Sequence, residues 1–264
     1  MQNEQGAVQA EVYECETTAD VTQLDARMNL ESLFANNPLS KEDLLFNLGL
    51  FTRSSLLVKY LTLHEIYQKF VTLPGLIVEF GTWWGQNLVL LENLRAIHEP
   101  FNKQRHIIGF DTFEGYSSEQ CKVQDKKSVA WQEQSYSTGK SYKTYLENLL
   151  KTHEKSNVLG HLTGMHSLIA GDVTMTAPKY FADHPASLIA FAYFDIGLYE
   201  PTKAAMLAIK PHLMPGSIIL LDELTWAEAP GEAIAFKETF SDSKYTIEKC
   251  KLYPSKSIIT YLGK

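Results

Sequence analysis

The residues from Leu76 to Asn87, LIVEFGTWWGQN, combine an apolar run, an acid and two glycines in an order that suits ligand binding. Gly81 and Gly85 allow the main chain to approach a cofactor where a Cβ atom would collide, and the amides that start a following helix are free to donate. Glu79 would repel a pyrophosphate and suits a cationic group such as an ammonium or a sulfonium. These features predict a turn that binds S-adenosylmethionine.

Two other classes of protein stay open at this point. A nicotinamide oxidoreductase is disfavoured because the dinucleotide fingerprint needs a third glycine where this chain has Leu88. The interval from Gly81 to Asp111 is also longer than the roughly 20 residues of that fingerprint. A non-catalytic cofactor-binding module is the second alternative, and an intact set of acids around the site argues against it.

Acidic residues follow four apolar runs that have the composition of strands. They are Glu79, Asp111, Asp172 and Asp195. Ligands of open α/β sheets bind outside the carboxyl ends of the strands, so acids at these positions can line one site. Asp111 can bind both ribose hydroxyls of an adenosine, and Asp172 can accept a hydrogen bond from the adenine amino group. Any one of these acids can instead cap a helix, but four in register favour a ligand site.

Apolar runs and helical spacing alternate along the chain, which is typical of an α/β fold with a doubly wound, mostly parallel, Rossmann-like sheet. Runs that are apolar throughout indicate strands covered on both faces. Two short runs around a proline-containing turn predict a C-terminal antiparallel pair at the sheet edge. The predicted elements are helix 52–70, strand 76–80, helix 86–98, strand 106–110, strand 167–170, helix 176–183, strand 188–194, helix 201–213, strand 217–221 and the edge pair 246–250 and 257–262.

The domain organisation follows from length and local composition. The 264 residues suffice for one α/β domain with appendages. We expect residues 1–45 to be an N-terminal tail or arm that is partly disordered, because its start is polar, acidic and aperiodic. Residues 46–264 then form the domain. The polar stretch at about 117–139 is too long for an idle connection and predicts a lid-like insertion.

Charge and cysteine usage exclude several partners. The net charge of −7 and the scattered basic residues argue against nucleic acid as a partner. Three cysteines far apart in the sequence form neither a disulfide framework nor a metal knuckle, so we expect a cytoplasmic protein. No apolar run has the length of a membrane span, so we expect no membrane partner. We also expect a homo-oligomer.

Five segments together resemble one known family. They are VEFGTWWGQN, IIGFDTFEGY, AGDV, FDIGLYEPT and MPGSIILLDE. The chain is similar over roughly residues 50–264 to the class I S-adenosylmethionine-dependent methyltransferases of the macrocin O-methyltransferase (TylF-like) family, and most to its nucleotide-sugar (TDP-rhamnose or 6-deoxyhexose) 3-O-methyltransferases. The resemblance implies methyl transfer to a hydroxyl of a small-molecule acceptor, a nucleotide-activated deoxysugar of natural-product or surface-polysaccharide biosynthesis. A non-sugar acceptor, methylated on oxygen or nitrogen, stays open.

The resemblance also implies a role for each residue that matches the family motifs. The implied cofactor-binding residues are Glu79, Gly81, Thr82 and Gly85 at the methionine part, Asp111 at the ribose, Asp172 at the adenine, and in addition Asn87, Thr112, Phe113 and Asp195. The implied magnesium ligands beside the acceptor hydroxyl are Asp195, Asp222 and Glu223, with Asp195 as the general base. Carboxylates suit a hard divalent cation, which can bind hydroxyl oxygens and lower their pKa.

Two positions depart from the family pattern. Relatives commonly read D-x-D-L-Y-E, and this chain has Gly197 in place of the second acid. Glu223 stands where aspartate is usual. Near the turn, Trp83 and Trp84 suit either a pocket wall or packing between a helix and the sheet. His166 suits a second base less well than a solvent-facing or capping role.

Overall fold

The computed structural model describes residues 19–120, 122, 125, 134–139, 141–227 and 229–264. These described residues divide into two compact units, one that ends at Tyr60 and one that begins at Leu61. The helices are α1 Val21–Ala35, α2 Lys41–Phe46, α3 Ser54–Phe70, α4 Gln86–His98, α5 Tyr142–Ser156, α6 Val173–Asp183, α7 Tyr199–Ile209 and α8 Gly231–Thr239. The strands are β1 Leu76–Phe80, β2 Ile107–Asp111, β3 Ser167–Ala170, β4 Ile189–Phe194, β5 Leu213–Leu221, β6 Lys244–Lys249 and β7 Ser257–Gly263.

The strands form one seven-stranded sheet in the order β3-β2-β1-β4-β5-β7-β6. Strands β1 to β5 are parallel, whereas β7 runs antiparallel to both β5 and β6. The predicted doubly wound, mostly parallel sheet with a C-terminal antiparallel pair is therefore confirmed. The chain winds outward in opposite directions from β1 and β4, so the switch point of the topology lies between these two strands. Ligands of such sheets bind outside the carboxyl ends at that point.

Two apolar clusters cover the two faces of the sheet, which explains the runs that are apolar throughout. In β1, Ile77 belongs to one cluster, and Val78 and Phe80 belong to the other. All six residues of β4 are buried. On the second face the ring of Phe80 stacks between Phe110 and Phe194, at centroid distances of 4.9 and 4.8 Å. These contacts fix the carboxyl ends of β1, β2 and β4 beside one another.

Some predicted boundaries are wrong for identifiable reasons. The helix predicted over 201–213 ends at Ile209, and a 3-10 turn, Lys210–His212, leads directly into β5. Pro211 has no amide hydrogen for the helical ladder and its ring crowds the preceding turn, so the helix stops there. Helix α6 begins at Val173, earlier than the predicted start at 176, because the Asp172 side chain caps it.

Four helices were not predicted, namely α1, α2, α5 and α8. Helices α1 and α2 fall within or beside the predicted tail, and the side chains of Asp20 and Ser40 cap their amino ends. Residues 1–18 of the predicted tail lie outside the described residues, and the division into tail and domain stays a prediction. Within the part of the chain that the structure describes, no helix combines the length and apolar character needed to cross a bilayer.

A buried polar network lies at the sheet edge opposite the carboxyl ends of the strands. Glu92 in α4 accepts from Arg95 Nε at 2.7 Å and from Asn157 Nδ2 at 2.9 Å. His166 Nδ1 accepts the Ile107 amide at 3.2 Å, so its Nε2 carries the hydrogen that is donated to Glu92 Oε2 at 2.8 Å. The side chain of His166 is only 3% exposed, so the solvent-facing interpretation is wrong. The residue is a structural link between strands and helices, remote from the edge where ligands bind.

This network predicts a loss of stability in acid. Burial acts to raise the pKa of Glu92, but the hydrogen bonds from Arg95 and His166 outweigh it and lower that pKa to about 2. A depressed carboxyl pKa stabilises the fold above the unfolded value of 4.5, and the stabilisation disappears as the pH falls from 4.5 to about 2. We expect Glu92→Gln to weaken the pH dependence of the free energy of unfolding in that window, which is the acid limb of the stability curve. The free energy is measured by urea unfolding. The exposed Glu147→Gln change should leave the limb unchanged, and an equal effect of both substitutions would contradict the assignment.

Candidate active site

The turn after β1 needs its two glycines for packing as well as for backbone conformation. Gly81 has φ +88, and a Cβ atom there would lie 2.0 Å from the carbonyl oxygen of Asp195. Gly85 has φ +73, and a Cβ atom there would lie 2.4 Å from Leu146 Cδ2 in α5. Both values of φ disfavour residues with a side chain. The cofactor turn predicted from the sequence therefore lies directly against the end of β4.

Side chains from the turn tie β1 to the start of α4. Glu79 is fully buried, and Asn87 Nδ2 donates to its Oε1 at 2.7 Å. Asn87 lies in the first helical turn of α4, so this bond holds the amino end of the helix at the strand tip. Thr82 is also buried, with its Oγ1 3.5 Å from the Phe110 carbonyl oxygen. The structure thus brings the residues predicted for the methionine part together around one turn.

The Asp111 carboxylate lies between two loops at the end of β2. Its Oδ2 accepts the Trp83 amide at 2.7 Å, and its Oδ1 accepts the Phe113 amide at 2.6 Å. Burial raises the pKa of Asp111, although these amides act to lower it. Each carboxylate oxygen has a second lone pair, so the group can still accept hydrogen bonds from two ribose hydroxyls. Thr112 fixes the following turn through a bond from its Oγ1 to the Gly115 carbonyl oxygen at 3.0 Å.

Asp172 performs the helix-capping function that the sequence left open for each acid. Its Oδ1 accepts the Thr174 amide at 2.8 Å at the start of α6. The capping interaction occupies one oxygen and explains why an acid is present at this position. A contact with adenine would use the second oxygen, and it stays a prediction.

Trp83 and Trp84 lie at the protein surface beside the turn. The two residues are 45% and 39% exposed, so the interpretation as packing between a helix and the sheet is wrong. Trp83 contacts Tyr136 edge-on with 5.6 Å between the ring centroids, and Trp84 contacts Tyr142 edge-on with 4.8 Å between the ring centroids. The two indoles thus form an exposed aromatic surface next to the predicted cofactor turn.

Three carboxylates converge at the carboxyl ends of β4 and β5. One oxygen from each of Asp195, Asp222 and Glu223 lies within 4.8 Å of the others. The strand register accounts for this, because Phe194 pairs with Leu221 and the acids directly follow that pair. We refer to these three residues as the acid cluster. The sequence prediction placed all three together correctly.

Neighbouring side chains contact the acid cluster through hydrogen bonds and an ion pair. Tyr193 donates its hydroxyl hydrogen to Asp195 Oδ2 at 3.1 Å. Lys256 donates to the Tyr193 hydroxyl at 2.6 Å and forms an ion pair with Asp222. The fully buried Glu232 accepts the Glu223 amide at 2.9 Å. Asp195 and Asp222 are therefore held through their side chains, and Glu223 is held through its backbone amide.

The electrostatics of the acid cluster are those of crowded, partly buried carboxylates. Burial raises the pKa of Asp222 to about 7, and the charge of Asp195 adds to the increase. Burial and the charge of Glu232 raise the pKa of Glu223 well above its usual range. Burial also raises the pKa of Glu232 to about 8. A bound cation would favour the ionised forms of these groups and offset their repulsion.

The donor set fits a hard divalent cation. All three members of the cluster are carboxylates, the ligands that magnesium prefers. The Oε2 atom of Glu223 is buried and receives no hydrogen bond from the described residues. If a bound cation keeps all three carboxylates ionised, their charge together with that of Lys256 balances one divalent ion. Asp195, Asp222 and Glu223 are the residues that would hold it.

Described parts of the predicted lid contact the segment that follows Asp195. Tyr116 donates its hydroxyl hydrogen to the Ile196 carbonyl oxygen at 2.5 Å. Asp125 Oδ1 accepts the Tyr199 amide at 2.5 Å and thereby caps α7, which has no side-chain cap from its own N-cap residue. Residues 121, 123–124 and 126–133 of the predicted lid lie outside the described residues.

Comparisons with known proteins agree with this geometry. Residues 78–224 match the family model of a methyltransferase domain. CalS11, a calicheamicin methyltransferase, is 34% identical over 92% of this chain and 94% of its own, with a TM-score of 0.86. The apo structure of CalS11, TDP-rhamnose 3'-O-methyltransferase, is 33% identical over 92% and 96%, with a TM-score of 0.79. The O-methyltransferase NovP, 16% identical over 78% and 80%, shares the fold with a TM-score of 0.62. Curated protein sequences give no significant match.

The sheet topology and the acid-lined carboxyl edge define a class I S-adenosylmethionine-dependent methyltransferase. The chain belongs to the methyltransferase-domain family, since that model covers residues 78–224 and CalS11 is 34% identical over 92% of the chain. The family resemblance and the enzyme class predicted from the sequence are confirmed. The roles of individual site residues stay predictions.

Several side chains at this site were not found from the sequence. They are Tyr193, Lys256 and Glu232 around the acid cluster and Asp125 in the insertion. In the sequence, Tyr193 is only one residue of an apolar strand. Lys256 directly precedes the apolar run SIITYL, and its position beside Asp222 depends on strand pairing, which a single sequence does not reveal.

Proposed function

We propose that this methyltransferase transfers the methyl group of S-adenosylmethionine to a hydroxyl of a nucleotide-activated deoxysugar, with Asp195 as general base and Mg²⁺ at the acid cluster. The reaction belongs to natural-product or surface-polysaccharide biosynthesis. The observation that carries the proposal is the close packing of the Gly81 backbone against the Asp195 carbonyl oxygen, which a Cβ atom added at Gly81 would approach to 2.0 Å. This approach joins the predicted cofactor turn and the acid cluster into one site.

The residues present can perform the transfer. A sugar hydroxyl is a poor nucleophile near neutral pH, and a divalent ion bound beside it would lower its pKa. Asp195 accepts the hydroxyl proton while the new oxygen–carbon bond forms and the sulfur–carbon bond breaks, which yields S-adenosylhomocysteine and a methyl ether. Tyr193 holds the Asp195 carboxylate through the bond to Oδ2. Backbone amides hold Asp111 for the ribose.

The acceptor class is supported by the relative CalS11, which is a TDP-rhamnose 3'-O-methyltransferase. The test is a panel of acceptors incubated with the enzyme, S-adenosylmethionine and Mg²⁺, with S-adenosylhomocysteine release as the measurement. We expect TDP-rhamnose or a related TDP-deoxysugar to give the highest kcat/KM. Turnover confined to amines, carboxylates or non-sugar hydroxyls would contradict the proposed acceptor, and turnover that survives exhaustive chelation would contradict the role of Mg²⁺.

The cofactor assignment gives a separate prediction. Asp111→Ala removes a charged acceptor for the ribose hydroxyls, which should cost about 1.5–3 kcal/mol of binding free energy. Calorimetry should therefore show S-adenosylhomocysteine binding about 10- to 100-fold more weakly than to the wild type. The matched control is Asp183→Ala, an exposed acid at the end of α6. Equal affinities of the wild type and Asp111→Ala would contradict ribose binding by this residue, and preferential binding of NAD would contradict the cofactor.

The insertion at 117–139 is proposed to act as a lid that positions the acceptor. Support comes from Asp125, which is fully buried and joins the insertion to the segment after Asp195. We expect Asp125→Ala to raise the acceptor KM by about tenfold, because the partly buried Tyr199 amide loses its hydrogen-bond acceptor, which costs about 1–3 kcal/mol. The affinity for S-adenosylhomocysteine should stay within about twofold of the wild type. An unchanged acceptor KM would leave the insertion as a passive segment.

A cytoplasmic location and homo-oligomeric assembly complete the proposal. The buried, unpaired thiol of Cys250 is consistent with a reducing compartment. Light scattering of the purified full chain measures the oligomeric state, and a monomer at all concentrations would contradict the assembly.

A further inference from the structure

A lysine lies inside the acid cluster's hydrogen-bond network. Lys256 is only 5% exposed, and its ammonium forms an ion pair with Asp222 and donates to Tyr193. Tyr193 in turn donates to Asp195. The ammonium also lies over the rings of Tyr193 and Tyr253, at 5.1 and 4.7 Å from their centroids. One buried cation thus reaches two of the three carboxylates, one directly and one through a hydroxyl.

The fold holds this lysine in place on both sides. Leu221 pairs with Ser257 in the antiparallel ladder of β5 and β7, so Asp222 and Lys256 lie next to that pair. The Lys256 amide donates to the Tyr253 carbonyl at 3.0 Å, and the Cys250 amide donates to the Lys256 carbonyl at 2.9 Å. The backbone at Lys256 is therefore held by its own hydrogen bonds, independently of the contacts of the side chain.

Three neighbouring carboxylates repel one another, and a buried ammonium beside them reduces that repulsion. The ion pair and the hydrogen bond of the Lys256 ammonium, to Asp222 and Tyr193, both lie on the side of the cluster. A buried lysine that lacked such partners would be costly to maintain. Its contacts therefore indicate a function in the charge balance of the cluster.

We propose that Lys256 is the built-in counter-cation of the acid cluster, a positioning residue that balances part of its charge and holds Asp222 and, through Tyr193, Asp195 in place. The inference rests on the proposed function only in that the acid cluster is the acceptor-side site. Lys256 and a divalent ion then balance the same carboxylates. The lysine keeps the cluster together when the ion is absent and weakens the binding of the ion when it is present.

The test is the affinity for Mn²⁺, measured by calorimetry on the full chain saturated with S-adenosylhomocysteine after chelator treatment. Lys256→Met removes the charge but retains a long apolar stem. We expect this variant to bind Mn²⁺ at least about tenfold more tightly than the wild type, because one more negative charge is left for the ion to balance. We expect Lys256→Arg, which keeps the charge, to stay within about threefold of the wild type.

The melting temperature supplies a second readout. Without metal, Lys256→Met should melt below the wild type, because an uncompensated carboxylate is left buried. Added Mn²⁺ should raise the melting temperature of this variant by more than it raises that of the wild type. Lys210→Met, which removes a lysine paired with Asp242 away from the cluster, is the matched control and should leave Mn²⁺ affinity unchanged. If Lys256→Met does not fold, Lys256→Gln takes its place.

Unchanged or weaker Mn²⁺ binding by Lys256→Met would overturn the proposal, since a lysine that only supports the fold cannot tighten metal binding when removed. This outcome is distinct from a failure of the proposed function. A wild type that binds no Mn²⁺ and transfers no methyl group would contradict the proposed function. Mn²⁺ binding gained by Lys256→Met in that case would still support the counter-cation.

Discussion

Replacing Asp195 with asparagine is expected to lower kcat by about 10²–10⁴-fold, the usual contribution of a general base. The substitution removes the proton acceptor and one ligand charge from the acid cluster but changes the side-chain volume little. Tyr193 can still donate to the remaining carbonyl oxygen at the position of Oδ2. The affinity for S-adenosylhomocysteine should therefore stay close to that of the wild type, which separates a chemical defect from a folding defect.

The measurement is kcat with a saturating sugar nucleotide, alongside calorimetric titration of S-adenosylhomocysteine. The control is Asp183→Asn, since Asp183 is exposed and pairs with Lys179 on the same helix. It should retain wild-type turnover. If Asp195→Asn retained near-wild-type kcat, Asp195 would not be the base, and Gly197 would point to a different acceptor chemistry from that of the relatives.

Replacing Gly81 with alanine is the second change with a large expected effect. The new Cβ atom would lie 2.0 Å from the Asp195 carbonyl oxygen, at a residue whose φ is +88. A side chain at such a φ costs about 1–3 kcal/mol, and the clash with a backbone atom cannot be relieved by a rotamer change. We expect S-adenosylhomocysteine binding to weaken by at least about tenfold and turnover to fall further, because the turn and the base move apart.

Calorimetry and thermal melting of the Gly81→Ala variant measure these effects. The control is Gly49→Ala, because a Cβ atom at Gly49 would meet nothing within 4 Å. That variant should match the wild type in cofactor affinity. A Gly81→Ala protein that bound S-adenosylhomocysteine with unchanged affinity would show that the turn does not couple the cofactor to Asp195.

The fold could be predicted from the sequence where local pattern and tertiary environment agree. Strand β1 and helix α4 were predicted with their observed bounds, because the strand is apolar and Gly85 marks the start of the helix. Helix α5 was missed because its face toward the core is narrow, with only Leu146, Leu150 and Glu154 buried. Helix α7 ends before the predicted boundary because Pro211 interrupts the helical ladder, although the apolar spacing continues.

The site residues that could be predicted from the sequence are those that directly follow strands. Asp195, Asp222 and Glu223 converge because parallel strands end at one edge, and that rule needs only the sequence. The partners of these acids come from elsewhere. Lys256 reaches the site through the antiparallel register of β7, and Asp125 through the course of a long insertion. Neither arrangement follows from a local pattern.

Transfer of an isotopically labelled methyl group tests the central claim most directly. The wild-type enzyme is incubated with S-adenosylmethionine labelled in its S-methyl group, TDP-rhamnose and Mg²⁺, and the product is isolated for mass spectrometry and NMR. The account predicts one labelled methyl group, bonded to a sugar hydroxyl oxygen, and label transfer at least about 100-fold slower in Asp195→Asn. Absence of labelled sugar nucleotide across TDP-deoxysugars, from a protein that still binds S-adenosylhomocysteine, would contradict it.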